Sequence, residues 1–196
     1  QLGYDVEEHI IEHMFKPSFE YVRSYPILNH NMAYNTCRGL IRMSKATGDP
    51  SYMHEAVERM EIYAKNNYLF DGFWKEVTLS YHNQSTNGLL ISMNESKGWS
   101  DPHDYLSPRT GRNLQQLDLS ETCPALNKAL TMGDVVSYPN GSYVAMQDTW
   151  ANEKSANPMT DLGSYLLPAT GIAILAQAGV AGEHPAIIYD FPSLEI

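Results

Sequence analysis

Two polar clusters in this sequence combine residue types that can do acid–base chemistry. The first is Asn29-His30, beside the start of a predicted helix, where unpaired backbone N–H groups favour a bound anion. The second is Tyr81-His82, five residues after Glu76. An amide, an imidazole and a phenol can neutralise a carboxylate and move protons. Each cluster also has a purely structural interpretation, a helix cap for the first and a half-buried helix start for the second.

A pair of antiparallel helices is predicted to carry the first cluster. Apolar residues at mixed three-and-four spacing predict a helix from Leu28 to Ala46. Gly48 ends it, and Asp49 and Pro50 supply an N-cap and a first helical residue for the next helix, which ends near Asn67. We therefore expect an αα-hairpin.

The second cluster is predicted to follow a turn at Asp71-Gly72 and an extended segment that reaches Leu79. Further helices are predicted from about Tyr81 or Asn83 to Met93 and from about Leu114 to Met132, separated by a long polar loop, 94–112. After residue 138 the sequence pattern changes to short apolar runs bounded by Gly and Pro, which predict strands. These runs are 142–146, 171–176 and 186–189, and the last two look like a hairpin.

Composition excludes several classes of function. The 196 residues carry 13 Lys and Arg against 23 Asp and Glu, a formal net charge of −10, which disfavours a nucleic-acid partner. The sequence has no apolar run near the roughly 18–20 residues of a membrane span. The acidity is concentrated after residue 128, so a cationic cleft is still expected in the helical part. The bases there include Arg38, Arg42, Lys75, Arg109 and Arg112.

Neither a metal site nor a redox site is predicted. His9 and His13 stand four residues apart with glutamates between and beside them, but the order of a zinc-binding His-Glu-x-x-His motif is absent, so we interpret them as an exposed polar face. Cys37 and Cys123 have no metal or redox spacing. The chain starts at Gln1 without Met and without a charged, then apolar leader, which fits either a removed signal peptide or a trimmed sequence. We expect a periplasmic or secreted protein.

Three longer segments, together with Asn29-His30, resemble the heparinase II/III-like polysaccharide lyases. The family pattern of an Asp-Gly turn, an aromatic residue, a Glu and then Tyr-His is similar to "DGFWKEVTLSYHNQ" at 71–84. The other two segments are "YPNGSYVAMQDTW" at 138–150 and "LLPATGIAILAQ" at 166–177, which looks like the strand that opens the family's β-sandwich.

The resemblance implies a mainly α chain that forms part of an α/α toroid and then the first strands of a β-sandwich. It implies a toroid portion at 1–138, a connecting segment at 139–165 and the start of the sandwich at 166–196. A complete toroid and sandwich contain more helices and strands than we predict here. We therefore expect a partial chain, whose site is completed by missing parts of the same enzyme.

The implied activity is β-elimination in a uronic-acid-containing polysaccharide of the glycosaminoglycan or alginate type, without a cofactor. Asn29 would neutralise the uronate carboxylate, with His30 assisting or acting as base, while Tyr81 protonates the leaving oxygen. Because a free Tyr has a pKa near 10, a role for Tyr81 as base needs nearby cations. Substrate contacts are expected from His82, Glu76, Lys75, Arg38 and Trp150.

Three alternatives stay open at this point. A toroid glycoside hydrolase would use Glu76 as general acid with Asp148 as the second carboxylate. A non-catalytic glycan-binding module would use Tyr, Trp and Asn side chains to contact sugar, and Tyr is abundant here, with 13 of the 196 residues. A structural helical-repeat scaffold is disfavoured, because no repeat with a fixed period is present.

Overall fold

Helices dominate this computed structural model, which describes residues 3–26, 29–120, 124–138, 140–158, 164–175 and 187–190. The described helices are α1 (Val6–Ile10), a π-helical turn (Ile11–Phe15), α2 (Lys16–Ser24), α3 (Tyr34–Thr47), α4 (Pro50–Asn67), α5 (Leu79–Ser96), α6 (Pro124–Ala129) and α7 (Met132–Val135). The described strands are β1 (Tyr165–Leu167), β2 (Ile172–Leu175) and β3 (Ile187–Asp190). The prediction of a mainly α chain is confirmed.

The chain divides into two units, and the division falls within α4 and within α5. The first unit comprises Gln1–Tyr63 with Gly88–Thr122, and the second comprises Ala64–Asn87 with Cys123–Ile196. The described helices precede residue 138 and the described strands follow residue 164. The domain limits 1–138, 139–165 and 166–196 stay predictions.

The first unit is built on the predicted αα-hairpin. Gly48, with φ of 69°, ends α3 in the left-handed conformation and donates its N–H to the Ser44 carbonyl. The Asp49 carboxylate accepts the Ser51 N–H at 2.9 Å, which confirms it as the cap of α4. The apolar stripes of both helices are buried together with the second half of α5. The buried side chains include Leu40, Ile41, Met53, Val57, Met60 and Leu89.

The helix predicted over 114–132 is wrong in its first part. Leu117 exchanges backbone hydrogen bonds with Gly98 and Trp99, so this stretch folds back on the start of its own loop. Leu114 donates its N–H to the Asp101 carboxylate at 2.7 Å. Leu114, Leu117 and Leu119 are buried because this loop packs within the first unit. The next described helices along the chain are α6 and α7.

The second unit contains a three-stranded antiparallel sheet in the order β1-β2-β3. In its register Ile174 pairs with Ile188, which confirms the predicted hairpin between β2 and β3. The strand predicted at 142–146 is present only as isolated bridges at Ser142 and Tyr143. Among the described residues, none of the helices combines the length and apolar character that a membrane crossing requires.

Candidate functional site

The first turn of α5, in the second unit, carries Tyr81 and is joined to the 138–150 segment by two hydrogen bonds. Leu79, the first residue of the helix, donates its N–H to Thr149 Oγ1 at 2.9 Å. In return, the Trp150 N–H donates to Ser80 Oγ at 2.9 Å. Because the first N–H groups of a helix have no partner within it, Thr149 acts as a cap supplied from 70 residues away.

The Asp71-Gly72 turn is joined to the third segment of the resemblance. The Thr170 N–H and the Thr170 hydroxyl both donate to Asp71 Oδ2, each at 2.9 Å. Gly72 has φ of 96°, and a Cβ at this position would lie 2.5 Å from the Cβ of Lys128. Only glycine fits that close approach. The segments 71–84, 138–150 and 166–175 therefore meet within one unit.

His82 holds the turn from inside the unit. Its side chain is fully buried; Nδ1 accepts the Trp74 N–H at 3.0 Å and Nε2 donates to the Ala129 carbonyl at 2.8 Å. Burial lowers the pKa of His82 to about 4, with the hydrogen bond to Ala129 acting in the opposite direction, so the ring is neutral. Neither nitrogen is left for a substrate. We therefore correct the predicted substrate contact: His82 is a positioning residue for the turn before Tyr81.

Tyr81 itself is half-buried, and its hydroxyl makes no hydrogen bond to another residue of the described part of the chain. Glu76 is exposed, and Trp150 is 65% exposed. The Lys75 amine lies 5.7 Å from the centroid of the Trp74 ring. Four of the predicted site residues are therefore exposed or half-buried in the second unit, namely Lys75, Glu76, Tyr81 and Trp150.

Two residues near this turn have left-handed backbones although they are not glycine. Val77 has φ of 53° and Gln147 has φ of 50°. This conformation costs about 1–2 kcal/mol for an L-residue, and a β-branched residue such as Val77 is a true outlier there. Such strain persists only where the surroundings fix the chain. The buried Leu79 and Thr149 provide that fixation, one on each segment.

The Asn29-His30 pair lies in the first unit, about one turn before α3, because α3 begins at Tyr34 rather than at Leu28. His30 forms a local turn: its Nδ1 accepts the Met32 N–H at 3.1 Å and its carbonyl accepts the Ala33 N–H at 3.0 Å. In the neutral ring the proton is therefore on Nε2, the nitrogen that stays available as a donor.

Arg38 also lies in the first unit, where its charge is paired. Its Nε and Nη2 donate to Glu95 Oε1 at 3.2 and 2.8 Å, and Arg42 binds the same carboxylate. The hydrogen bond from Arg42, followed by that from Arg38, lowers the pKa of Glu95. Substrate binding by Arg38 would have to compete with this pair.

Within the described residues, no group of three or more His, Cys, Asp or Glu side chains is arranged to hold a metal ion. The rings of His9 and His13 lie 4.4 Å apart between centroids, on an exposed helical face. Searches for a matching protein family, a matching curated protein and a matching solved structure found none for this chain.

Proposed function

We propose that this chain belongs to a polysaccharide lyase that cleaves a uronic-acid-containing polysaccharide by β-elimination, similar in kind to the heparinase II/III-like enzymes. The observation that carries the proposal is the meeting of three segments, separated by up to a hundred residues, around the turn and helix start that bear Tyr81. Those are the segments on which the resemblance depends.

The proposed chemistry assigns one task to each group. A base removes the C5 proton, the electron pair forms the C4–C5 double bond, and the C4–O bond breaks. Tyr81 donates its proton to the departing oxygen; its hydroxyl bonds to none of the residues that the structure describes, so the proton is not already engaged there. Asn29 and His30 stabilise the negative charge that develops on the carboxylate. Lys75, Glu76 and Trp150 contact the sugar chain beside Tyr81.

The finer fold assignment is part of the same proposal. We propose that α3, α4 and α5 belong to an α/α toroid and that β1–β3 open a β-sandwich. In support, only Gly48 and Asp49 connect α3 to α4, as in helical hairpins, and both strand pairs of the sheet are antiparallel. The enzyme acts in the periplasm or outside the cell, and other parts of it complete the site.

A panel of alginate, heparan sulfate, chondroitin sulfate, hyaluronan and ulvan tests the proposal. The longest natural chain that contains these 196 residues is incubated with each polymer, and both ultraviolet absorbance and new reducing ends are recorded. A lyase produces an absorbing unsaturated end with each cut. Reducing ends without absorbance would indicate hydrolysis through Glu76 and Asp148 instead, and binding without new ends would indicate a glycan-binding module. Either result would overturn the lyase.

A further inference from the structure

A cavity of approximately 170 Å³ lies within the first unit. It is bounded by α2, the turn before α3, α3 itself and α4. This is room for a small ligand rather than for a single water molecule. Its rim includes Tyr21, Tyr25 and His30, and its floor includes Cys37, Arg59 and Tyr63.

Arg59 is the notable group on the floor, because its guanidinium is charged yet only 6% of the residue is exposed. Nε donates to Glu55 Oε1 at 2.8 Å and Nη2 donates to the Tyr25 carbonyl at 3.3 Å. Nη1 has no hydrogen bond to any residue that the structure describes. An unused guanidinium donor beside a cavity can donate a charge-assisted hydrogen bond to an acidic ligand.

The charges around the cavity favour an anion. No Asp or Glu lines it among the described residues. Glu55, the partner of Arg59, also accepts a hydrogen bond from Arg109 Nη1 at 2.6 Å, so its negative charge is shared between two guanidiniums. Arg109 Nη2 also donates to Glu58 Oε1 at 2.6 Å, so the four side chains together carry no net charge. The preference for an anion therefore rests on Arg59, which lines the cavity while neither glutamate does.

The other polar groups of the cavity act as donors. The hydroxyls of Tyr21 and Tyr25 are 2.5 Å apart, and this hydrogen bond raises the pKa of Tyr25, which keeps the phenol protonated. His30 offers Nε2–H, since its Nδ1 is engaged by Met32. Burial raises the pKa of Cys37 to about 12, so the thiol stays neutral and contributes apolar wall.

We propose that this cavity binds the carboxylate of a single uronic acid unit, with Arg59 Nη1 as the anchor, and the Tyr21–Tyr25 pair and His30 as donors to the carboxylate or the sugar hydroxyls. The choice of a sugar rests on the proposed function, with which the cavity shares His30. The choice of a carboxylate rests on the buried arginine alone.

Ligand-observed NMR on the 196-residue chain tests the inference, with D-glucuronate as probe and D-glucose as its neutral counterpart. Glucuronate should bind at least about tenfold more tightly than glucose, because a hydrogen bond between charged groups is strong. The Arg59→Gln variant should weaken glucuronate binding by about tenfold or more. The Arg42→Gln variant removes the same charge outside the cavity and should bind as the wild type does.

A second variant distinguishes lost binding from lost folding, because Arg59→Gln leaves the Glu55 carboxylate paired with Arg109 alone. Ala33 lines the cavity, so Ala33→Leu fills it without touching the ion pairs and should abolish binding with an unchanged circular dichroism spectrum. Equal affinity for glucose and glucuronate, no glucuronate binding by the wild type, or undiminished binding by Ala33→Leu would overturn the inference. Free glucuronate has no C4 glycosidic bond to cleave. If glucuronate binds but no polymer is cleaved, the cavity proposal stands and the lyase proposal is refuted. If a polymer is cleaved but glucuronate does not bind, the lyase proposal stands and the cavity proposal is refuted.

Discussion

The two units hold their polar groups in different ways. In the first unit, charged side chains pair with one another, as where Glu95 binds both Arg38 and Arg42, and Glu55 binds both Arg59 and Arg109. In the second unit, most contacts around Tyr81 join neutral side chains to backbone groups, as in Thr149 with Leu79, Trp150 with Ser80, and His82 with Trp74 and Ala129. The carboxylates of Asp71 and Glu153 take part by accepting hydrogen bonds from Thr170 and Ser80.

The difference has consequences for stability and for chemistry. Ion pairs with access to solvent, such as that of Arg42 with Glu95, tolerate small movements and weaken in salt, whereas the pair of Glu55 with Arg59 is buried. Buried neutral hydrogen bonds require one geometry and are costly to break, because each lost partner leaves a desolvated group. The second kind of network suits a site in which a phenol must be held at a fixed position, and it lies around Tyr81.

Replacement of His82 should have the largest effect on stability. His82→Leu leaves the Trp74 N–H and the Ala129 carbonyl unpaired in the interior, and we expect a loss of about 3 kcal/mol or more in the free energy of unfolding. Urea denaturation followed by tryptophan fluorescence measures it. His103, whose side chain is 99% exposed, provides the matched control, because His103→Leu should leave the midpoint unchanged. Equal urea midpoints for His82→Leu and the wild type would contradict the stabilising role of the His82 hydrogen bonds.

The depressed pKa of His82 predicts a pH dependence of similar size. Its pKa is about 4 in the folded protein against an ordinary 6.5, so between these values the unfolded chain binds the proton more readily. The stabilisation is complete above about pH 6.5 and falls as the pH drops towards 4, by on the order of 3 kcal/mol in total. The stability difference between the wild type and His82→Leu should therefore shrink from pH 7 to pH 4.5. A constant difference would show that the ring is not kept neutral.

Loss of the distant helix cap should have an intermediate effect. Thr149→Val keeps the shape of the side chain but removes the acceptor for the Leu79 N–H, which should cost about 1 kcal/mol. Thr131→Val is the control in the same unit, since the Thr131 hydroxyl bonds the Lys128 carbonyl at the surface, where water replaces it. If both variants lose the same stability, the cap has no special role.

Removal of a shared carboxylate in the first unit should have the smallest effect. Glu95→Gln weakens the pairing with Arg38 and Arg42 and should cost about 1 kcal/mol or less at low ionic strength. The cost should disappear in about 1 M salt, where the Debye length is about 3 Å. The cost of Thr149→Val should not change with salt. A salt-independent loss for Glu95→Gln would erase the distinction between the units.

Local signals in the sequence were sufficient to predict only some of the helices and strands. The Gly48 stop and the Asp49 cap predicted the start of α4 because both act within three residues of the helix end. The start of α5 was predicted two to four residues late, since its cap, Thr149, is 70 residues away and leaves no local signal. The burial of His82 was missed for the same reason: its partner Ala129 is distant in sequence.

The leucine-rich stretch after residue 113 shows a different failure. Leu114, Leu117 and Leu119 have spacings that fit a helix partly and a strand partly. The chain here is fixed instead by hydrogen bonds to an earlier part of the loop, those of Leu117 with Gly98 and Trp99 and those of Leu114 with Asp101. For the candidate site, Tyr81 and His30 were chosen from their residue types and stay predictions. The burial of Arg59 was not predicted, because an arginine inside a helix carries no sign in the sequence that its neighbours will bury it.

Product formation by a Tyr81→Phe variant tests the proposed lyase most directly. The polymer that the wild-type enzyme cleaves is used as substrate, and the initial rate of ultraviolet absorbance is compared with that of Tyr105→Phe, a half-buried tyrosine of the first unit beside His54. We predict that Tyr81→Phe loses at least about a hundredfold in rate with an unchanged unfolding midpoint, while Tyr105→Phe retains its rate. Wild-type rates from Tyr81→Phe would contradict the assignment of the proton donor and, with it, the account of why three segments converge on this helix start.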